Sequence, residues 1–184
     1  MNLRKYLKVY KKFLHTSLAS ELEYKTNILV DLITAILSLV GSIFLLSIFF
    51  ENNGYIGGWE FEQALIIQAI YTILNGITNT WFNPNLTEIV KHIREGTLDF
   101  VLLKPIDSQF FISLKKINPS GFLEIMLGFF LLLFCIRINQ INLSLSFLSL
   151  SLITISCSIC ILYSLWFFIS VSYTHLTLPT TTPV

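Results

Sequence analysis

Charge is scarce in this sequence: Asp, Glu, Lys and Arg make up 12% of its 184 residues, against roughly a quarter in an ordinary soluble domain. Too little charge is left to cover a water-facing surface, which argues against a conventional soluble fold. Cysteine is also sparse, and Cys135, Cys157 and Cys160 all fall inside apolar runs, where a thiol behaves as a small hydrophobe. Neither a disulfide framework nor a redox compartment follows from them. The spacing of Cys157-Ser-Ile-Cys160 matches a redox motif, but its place in an apolar run favours packing. The sequence lacks a Gly-rich phosphate loop ending in Lys and Ser or Thr, so a nucleotide site within this chain is not expected. Nor does any nucleophile pair with a base, which disfavours an enzyme. His15 and His92 sit among basic residues with no second ligand at metal spacing, so both are expected to be solvated and no metal is expected.

What is present is apolar length. Hydrophobic residues make up 54% of the chain and the mean hydropathy is +0.71. A helix needs about 20 apolar residues to cross a hydrocarbon core of ~30 Å. Four segments qualify: 28–50, 63–82, 121–138 and 143–170. The fold class predicted is therefore all-α, a polytopic membrane protein of about four transmembrane helices. From 143 to 152, Leu and Phe alternate with Ser in a strand-like pattern. An open strand in lipid leaves its backbone unpaired at several kcal/mol per group, so a helix is predicted there too.

The small net charge of +1 hides a strong segregation. Arg4, Lys5, Lys8, Lys11, Lys12 and Lys25 precede the first span, whereas Glu51, Glu60 and Glu62 occupy the next loop without a basic residue. Lys91, Arg94, Lys104, Lys115 and Lys116 crowd the loop after the second span, and Arg137 is alone before the fourth. Because cytoplasmic loops retain Lys and Arg, the N-terminus and the long 84–119 loop are predicted to be cytoplasmic. A cleaved signal peptide is not expected, for the segment before the first span is too long and no cleavage site follows it.

Three segments are candidates for function. In 3–22, Leu3, Tyr6, Leu7, Tyr10, Phe13, Leu14 and Leu18 share one helical face, and Arg4, Lys5, Lys8, Lys11 and Lys12 occupy the opposite arc. Such a helix fits the headgroup layer, with its cations near anionic membrane lipid. In 84–119, a stripe of Leu86, Ile89, Val90 and Ile93 ends at Gly96, and the apolar Phe100-Val-Leu-Leu103 follows before Lys104-Pro105. Loops of that length usually have a task. Two readings stand: an apolar knob rimmed by Arg94, Glu95, Asp99 and Lys104 and offered to a partner, or a re-entrant connector packed on the chain's own helices. The third candidate is the polar face of the second span, where Gln68, Thr72, Asn75 and Asn79 recur at helical spacing. That face lines a substrate path or helix interface, or makes ordinary interhelical hydrogen bonds of ~0.6 kcal/mol each, the reading preferred here. Asp31 and Glu124 lie near span ends, where snorkelling or local pairing is the default.

The run Arg94-Glu-Gly-Thr-Leu-Asp-Phe100, continuing Val-Leu-Leu-Lys-Pro-Ile-Asp107, closely resembles the cytoplasmic loop of the ABC-2-type transporter permeases, in particular a bacterial branch once catalogued as a domain of unknown function. Tyr6-Leu-Lys-Val-Tyr10, Glu21-Leu-Glu-Tyr24 and the Phe82-Asn-Pro-Asn85 turn look like that family as well, over about 3–138 in all. The resemblance implies an exporter permease subunit in the bacterial inner membrane, paired with a second permease copy or paralogue and with a separate ABC ATPase that holds the ATP and Mg. It makes 3–22 an elbow helix. It also makes Arg94, Glu95, Gly96, Leu98, Asp99, Phe100, Leu102, Leu103, Lys104 and Pro105 the ATPase-docking element. Such permeases usually have about six spans, so this chain is expected to be a fragment. In keeping with that, Val171-Ser-Tyr-Thr-His-Leu-Thr-Leu-Pro-Thr180 resembles a translated sequencing adapter, and 171–184 is expected to be an artefactual tail. The main alternative is a non-transporting membrane scaffold or assembly protein whose loop binds another partner. A secondary transporter or channel would call for charges near span centres or an inverted repeat, and neither is evident. No nucleic-acid partner is expected.

Overall fold

A computed structural model describes residues 3–23, 25–53, 55, 57–139 and 144–176. Tyr24, residues 140–143 and residues 177–184 lie outside the described residues. The described chain is helical: α1 Leu3–Glu23, α2 Lys25–Asn53, α3 Phe61–Ile77, a π-helical segment Thr78–Phe82, α4 Asn83–Arg94, α5 Leu98–Leu102, α6 Ser108–Leu114, α7 Ser120–Ile138 and α8 Leu145–Leu176.

Among the described residues, three helices are long and apolar enough to cross a bilayer: Thr26–Glu51 within α2, Ser120–Ile138, and Leu145–Ser170 within α8. The predicted span 63–82 has a different form. Its α-helical part is 17 residues, and the chain then runs through the five-residue π segment straight into α4. The turn expected at Phe82-Asn-Pro-Asn85 is helical instead. Pro84 occupies the first turn of α4, where a missing N–H costs nothing.

α3 and α7 run antiparallel with their backbones in contact, because the residues facing each other are small. Gly76 lies against Gly121, and Gly128 against Ala69. A Cβ built on Gly76 would meet the Ile125 backbone N at 2.7 Å, and one on Gly128 the Ile73 backbone N at 2.9 Å. Only glycine permits this approach, the usual device for helix packing where lipid gives no hydrophobic drive. α2 covers the pair, placing Leu39 and Ile43 against Ala69, Leu131 and Cys135. The outward surfaces of α2 and α8 expose Leu, Ile and Phe along their lengths, as lipid-facing helices must.

α8 packs on α4, with Trp166, Ile169 and Ser170 near Leu86, Thr87 and Val90, and also reaches the π segment and α6 through Tyr163. Its ring meets Phe82 and Phe167 at 5.5 and 5.9 Å, and its hydroxyl lies 2.7 Å from Ser113 Oγ. Cys157 and Cys160 are free thiols exposed on this helix.

Candidate functional site

The 83–118 connector is a helix, a turn, and two short helices folded back on the first. α4 ends in Lys91, His92 and Arg94, cations suited to a helix C-terminus. Gly96 then takes φ +64°, a left-handed conformation that costs glycine little. The chain turns back there, and the Thr97 N–H donates to His92 O at 2.9 Å. α5 follows with two unlike sides. Val101 is 4% exposed, set against Ile89, His92 and Phe111, whereas Phe100, Leu102 and Leu103 are 70%, 57% and 80% exposed. Around these apolar groups, Arg94, Glu95, Gly96, Asp99, Lys104 and Pro105 are exposed and Leu98 is half-buried.

Beneath α5 is a charged cluster. Glu88 accepts from Lys115 Nζ at 2.8 Å, with Lys116 Nζ at 3.6 Å and His92 Nε2 at 3.7 Å. Burial works against the carboxylate, but the Lys115 hydrogen bond and charge, then Lys116 and His92, outweigh it and hold Glu88 below its ordinary range. Asn85, 1% exposed, joins α4 to the 115–118 stretch. Its amide nitrogen donates to Trp81 O and Lys116 O, each at 2.6 Å, and its oxygen accepts from Lys116 N at 2.8 Å.

α1 lies across this body. Tyr6 meets Phe110 and Phe13 meets Phe111 edge to face, with centroids 4.8 and 5.5 Å apart, and Trp81 Nε1 donates to Tyr10 Oη at 3.3 Å. Its apolar stripe is thus divided: Tyr6, Tyr10 and Phe13 face protein, while Leu7 and Leu18 are exposed. Arg4, Lys5, Lys8, Lys11 and Lys12 are also exposed. Lys5 reaches the connector, donating to Pro105 O at 2.9 Å.

The four polar residues of the second span make different hydrogen bonds, although Gln68, Thr72 and Asn75 border one cleft. Gln68 donates to Ser42 Oγ on α2 at 2.9 Å, and Thr72 caps back onto Gln68 O of its own helix at 2.8 Å. Asn75 and Asn79 instead converge on Glu124 of α7, donating to its carboxylate at 2.9–3.0 Å. A cleft of about 40 Å³ lined by Ala35, Ser38, Gln68, Tyr71, Asn75 and Glu124 lies beside them.

A family profile described as ABC-2 family transporter protein matches residues 36–176. The chain belongs to the ABC-2 transporter family. No curated protein and no solved structure matches it. Membership makes the chain a multi-pass membrane permease of a transporter, a class that associates with an ABC ATPase. Within the ABC-2 match fall the polar face and the whole connector, while α1, with its Tyr6-Leu-Lys-Val-Tyr10 motif, precedes it.

Sequence reasoning about this ABC-2 permease missed three groups that organise the site. Glu88 carries no role in the sequence analysis, although an acid three residues before Lys91, in a segment that also holds the Lys115-Lys116 pair, is a usable signal. Asn85 had been read as part of a turn. His92, expected to be solvated, is half-buried: its Nδ1 lies 2.8 Å from Thr97 Oγ1. The ring was misjudged because α5 folds over it, a tertiary effect that its basic neighbours did not reveal.

Proposed function

We propose that this permease is driven by a separate ABC ATPase through the α4–α5 connector and exports its substrate from the cytoplasm. The observation that carries the reading is the two-sidedness of α5. Val101 anchors the helix to its own protein, while Phe100, Leu102 and Leu103 stand exposed together. An apolar cluster outside the spanning helices, ringed by Arg94, Glu95, Asp99 and Lys104, has the composition of a protein-binding patch. In this reading ATP and Mg are bound by the partner. Closure of two ATPases pushes on α5, and the glycine-packed pair α3 and α7 moves with α4 because the π segment joins them without a loop. A second permease copy completes the pathway. The N-terminus and the connector face the cytoplasm of a bacterial inner membrane, by the distribution of Lys and Arg.

The test is co-purification with the ABC ATPase encoded at the same locus. Leu102→Asp is expected to abolish capture of the ATPase while insertion and helix content stay unchanged. Undiminished capture by that variant would remove α5 as the docking element. If the wild-type chain captured no ATPase, the scaffold alternative would replace this one.

A further inference from the structure

A cavity of about 670 Å³ lies between α1 and the end of the connector. Its lining combines two kinds of chemistry. Lys104, Lys115 and Lys116 all border it, with no Asp or Glu among the described lining residues, and Phe13, Phe111 and Ile117 supply apolar wall. Among the described residues the three ammonium groups have one carboxylate near them, Glu88 from the α4 side, bonded to Lys115 at 2.8 Å and 3.6 Å from Lys116. Lys104 Nζ sits 3.9 Å from the centre of the Phe111 ring and makes no ion pair among the described residues. Positive charge is therefore in excess at a site that also has an apolar side.

That pairing of chemistries narrows the ligand. A phosphate anion satisfies the lysines, but a free phosphate gains nothing from Phe13, Phe111 and Ile117. A phospholipid satisfies both, and α1, with Leu7 and Leu18 exposed beside its lysines, fits the layer where lipid phosphates lie. The volume is within the ordinary range for small-ligand sites, about 300–1,000 Å³. We propose that this cavity seats the phosphate group of an anionic phospholipid, with Lys104, Lys115 and Lys116 as its receptors and Phe13, Phe111 and Ile117 against its apolar part. The proposal rests on α1 lying at the membrane surface and does not depend on ATPase coupling. A lipid held there joins α1 to the segment that follows α5, beside the Lys5 bond to Pro105.

Native mass spectrometry of the full chain in mild detergent tests this, with short-chain phosphatidylglycerol, short-chain phosphatidylcholine and inorganic phosphate as probes. One phosphatidylglycerol is expected to bind saturably in preference to phosphatidylcholine. Lys104→Gln and Lys116→Gln should each weaken it about fivefold, the worth of one lysine near a lipid phosphate, while Lys91→Gln, an equal charge loss on the exposed side of α4, leaves it unchanged. Lys104→Arg should retain binding, which separates loss of charge from loss of fold. Equal weakening by Lys91→Gln would mean diffuse surface attraction and overturn the site. Displacement of phosphatidylglycerol by millimolar inorganic phosphate would assign the lysines to a free anion and overturn the lipid.

Discussion

Glu88 shows how much of the connector hangs on one side chain. Among the described residues it is the one acid facing Lys115, Lys116 and His92, so replacing it leaves three basic groups pressed together. Glu88→Gln is expected to destabilise the folded connector by about 1.5–3 kcal/mol, the usual worth of hydrogen bonds to a charged group. The pH dependence has a definite sign. The folded carboxyl lies below its reference value of 4.5, so its contribution is complete above about pH 4.5 and is lost as pH falls through the lower folded value. Thermal melts in detergent between pH 6 and 3 should show the wild-type advantage over Glu88→Gln shrinking on acidification. A constant gap across that range would mean the carboxylate is not held by these partners. At this scale the sequence was informative where spacing alone decides, as with Asn75 and Asn79 sharing a face. It was silent where partners come from distant segments. Glu124 was given only snorkelling or local pairing, because nothing in the order of residues says that α7 sets it opposite those two amides.

Among the elements, the α3–α7 pair fixes the architecture, and its cause is legible in hindsight. Ala69 and Gly76 are seven residues apart, as are Gly121 and Gly128, so each pair falls on one helical face. In the antiparallel register the small residues meet and the backbones touch. A Cβ on Gly121 would lie 2.7 Å from the Thr80 backbone N, which no rotamer change relieves. Gly121→Ala is therefore expected to lower the melting temperature through a cost of about 1–3 kcal/mol. Gly41→Ala, on α2 with nothing within 4 Å of the new Cβ, should be neutral or gain about 0.5–1 kcal/mol of helix propensity. Intrinsic tryptophan fluorescence during heating reads both, and an unchanged melt for Gly121→Ala would mean that the two helices do not touch. Apolar length revealed that the elements exist, because hydropathy reports the cost of lipid exposure directly. It did not show the π segment or the helical course of Phe82-Asn-Pro-Asn85. In the π segment Thr80 O accepts from Asn118 N at 2.9 Å, a partner from the stretch before α7 that the order of residues does not announce.

For the whole molecule, the distribution of charge and the packing tell one story. Glu51, Glu60 and Glu62 cluster where α2 gives way to α3, whereas Lys91, Arg94, Lys104, Lys115 and Lys116 all fall within the connector at the other end of α3. The all-α membrane class was legible because so few charges cannot cover a protein in water. The union of α1 with the connector was not, since an amphipathic stripe does not say whether lipid or protein will cover it. Here protein covers Tyr6, Tyr10 and Phe13 and leaves Leu7 and Leu18 exposed, and that union sets a joint end of the molecule whose side of the membrane can be measured. Leu103 is 80% exposed and Trp59, in the acidic turn between α2 and α3, is 51% exposed. In a background with Cys135, Cys157 and Cys160 replaced, Trp59→Cys in intact cells should react with a membrane-impermeant maleimide. Leu103→Cys should react only after the membrane is opened. The inverse pattern would reverse the orientation inferred from Lys and Arg and put α5 out of reach of any cytoplasmic ATPase. Labelling of both positions from outside would mean that α3 does not carry the chain across the bilayer at all. Because the two substitutions sit on opposite ends of α3, the experiment tests the short helix, the one element whose length does not settle whether it spans.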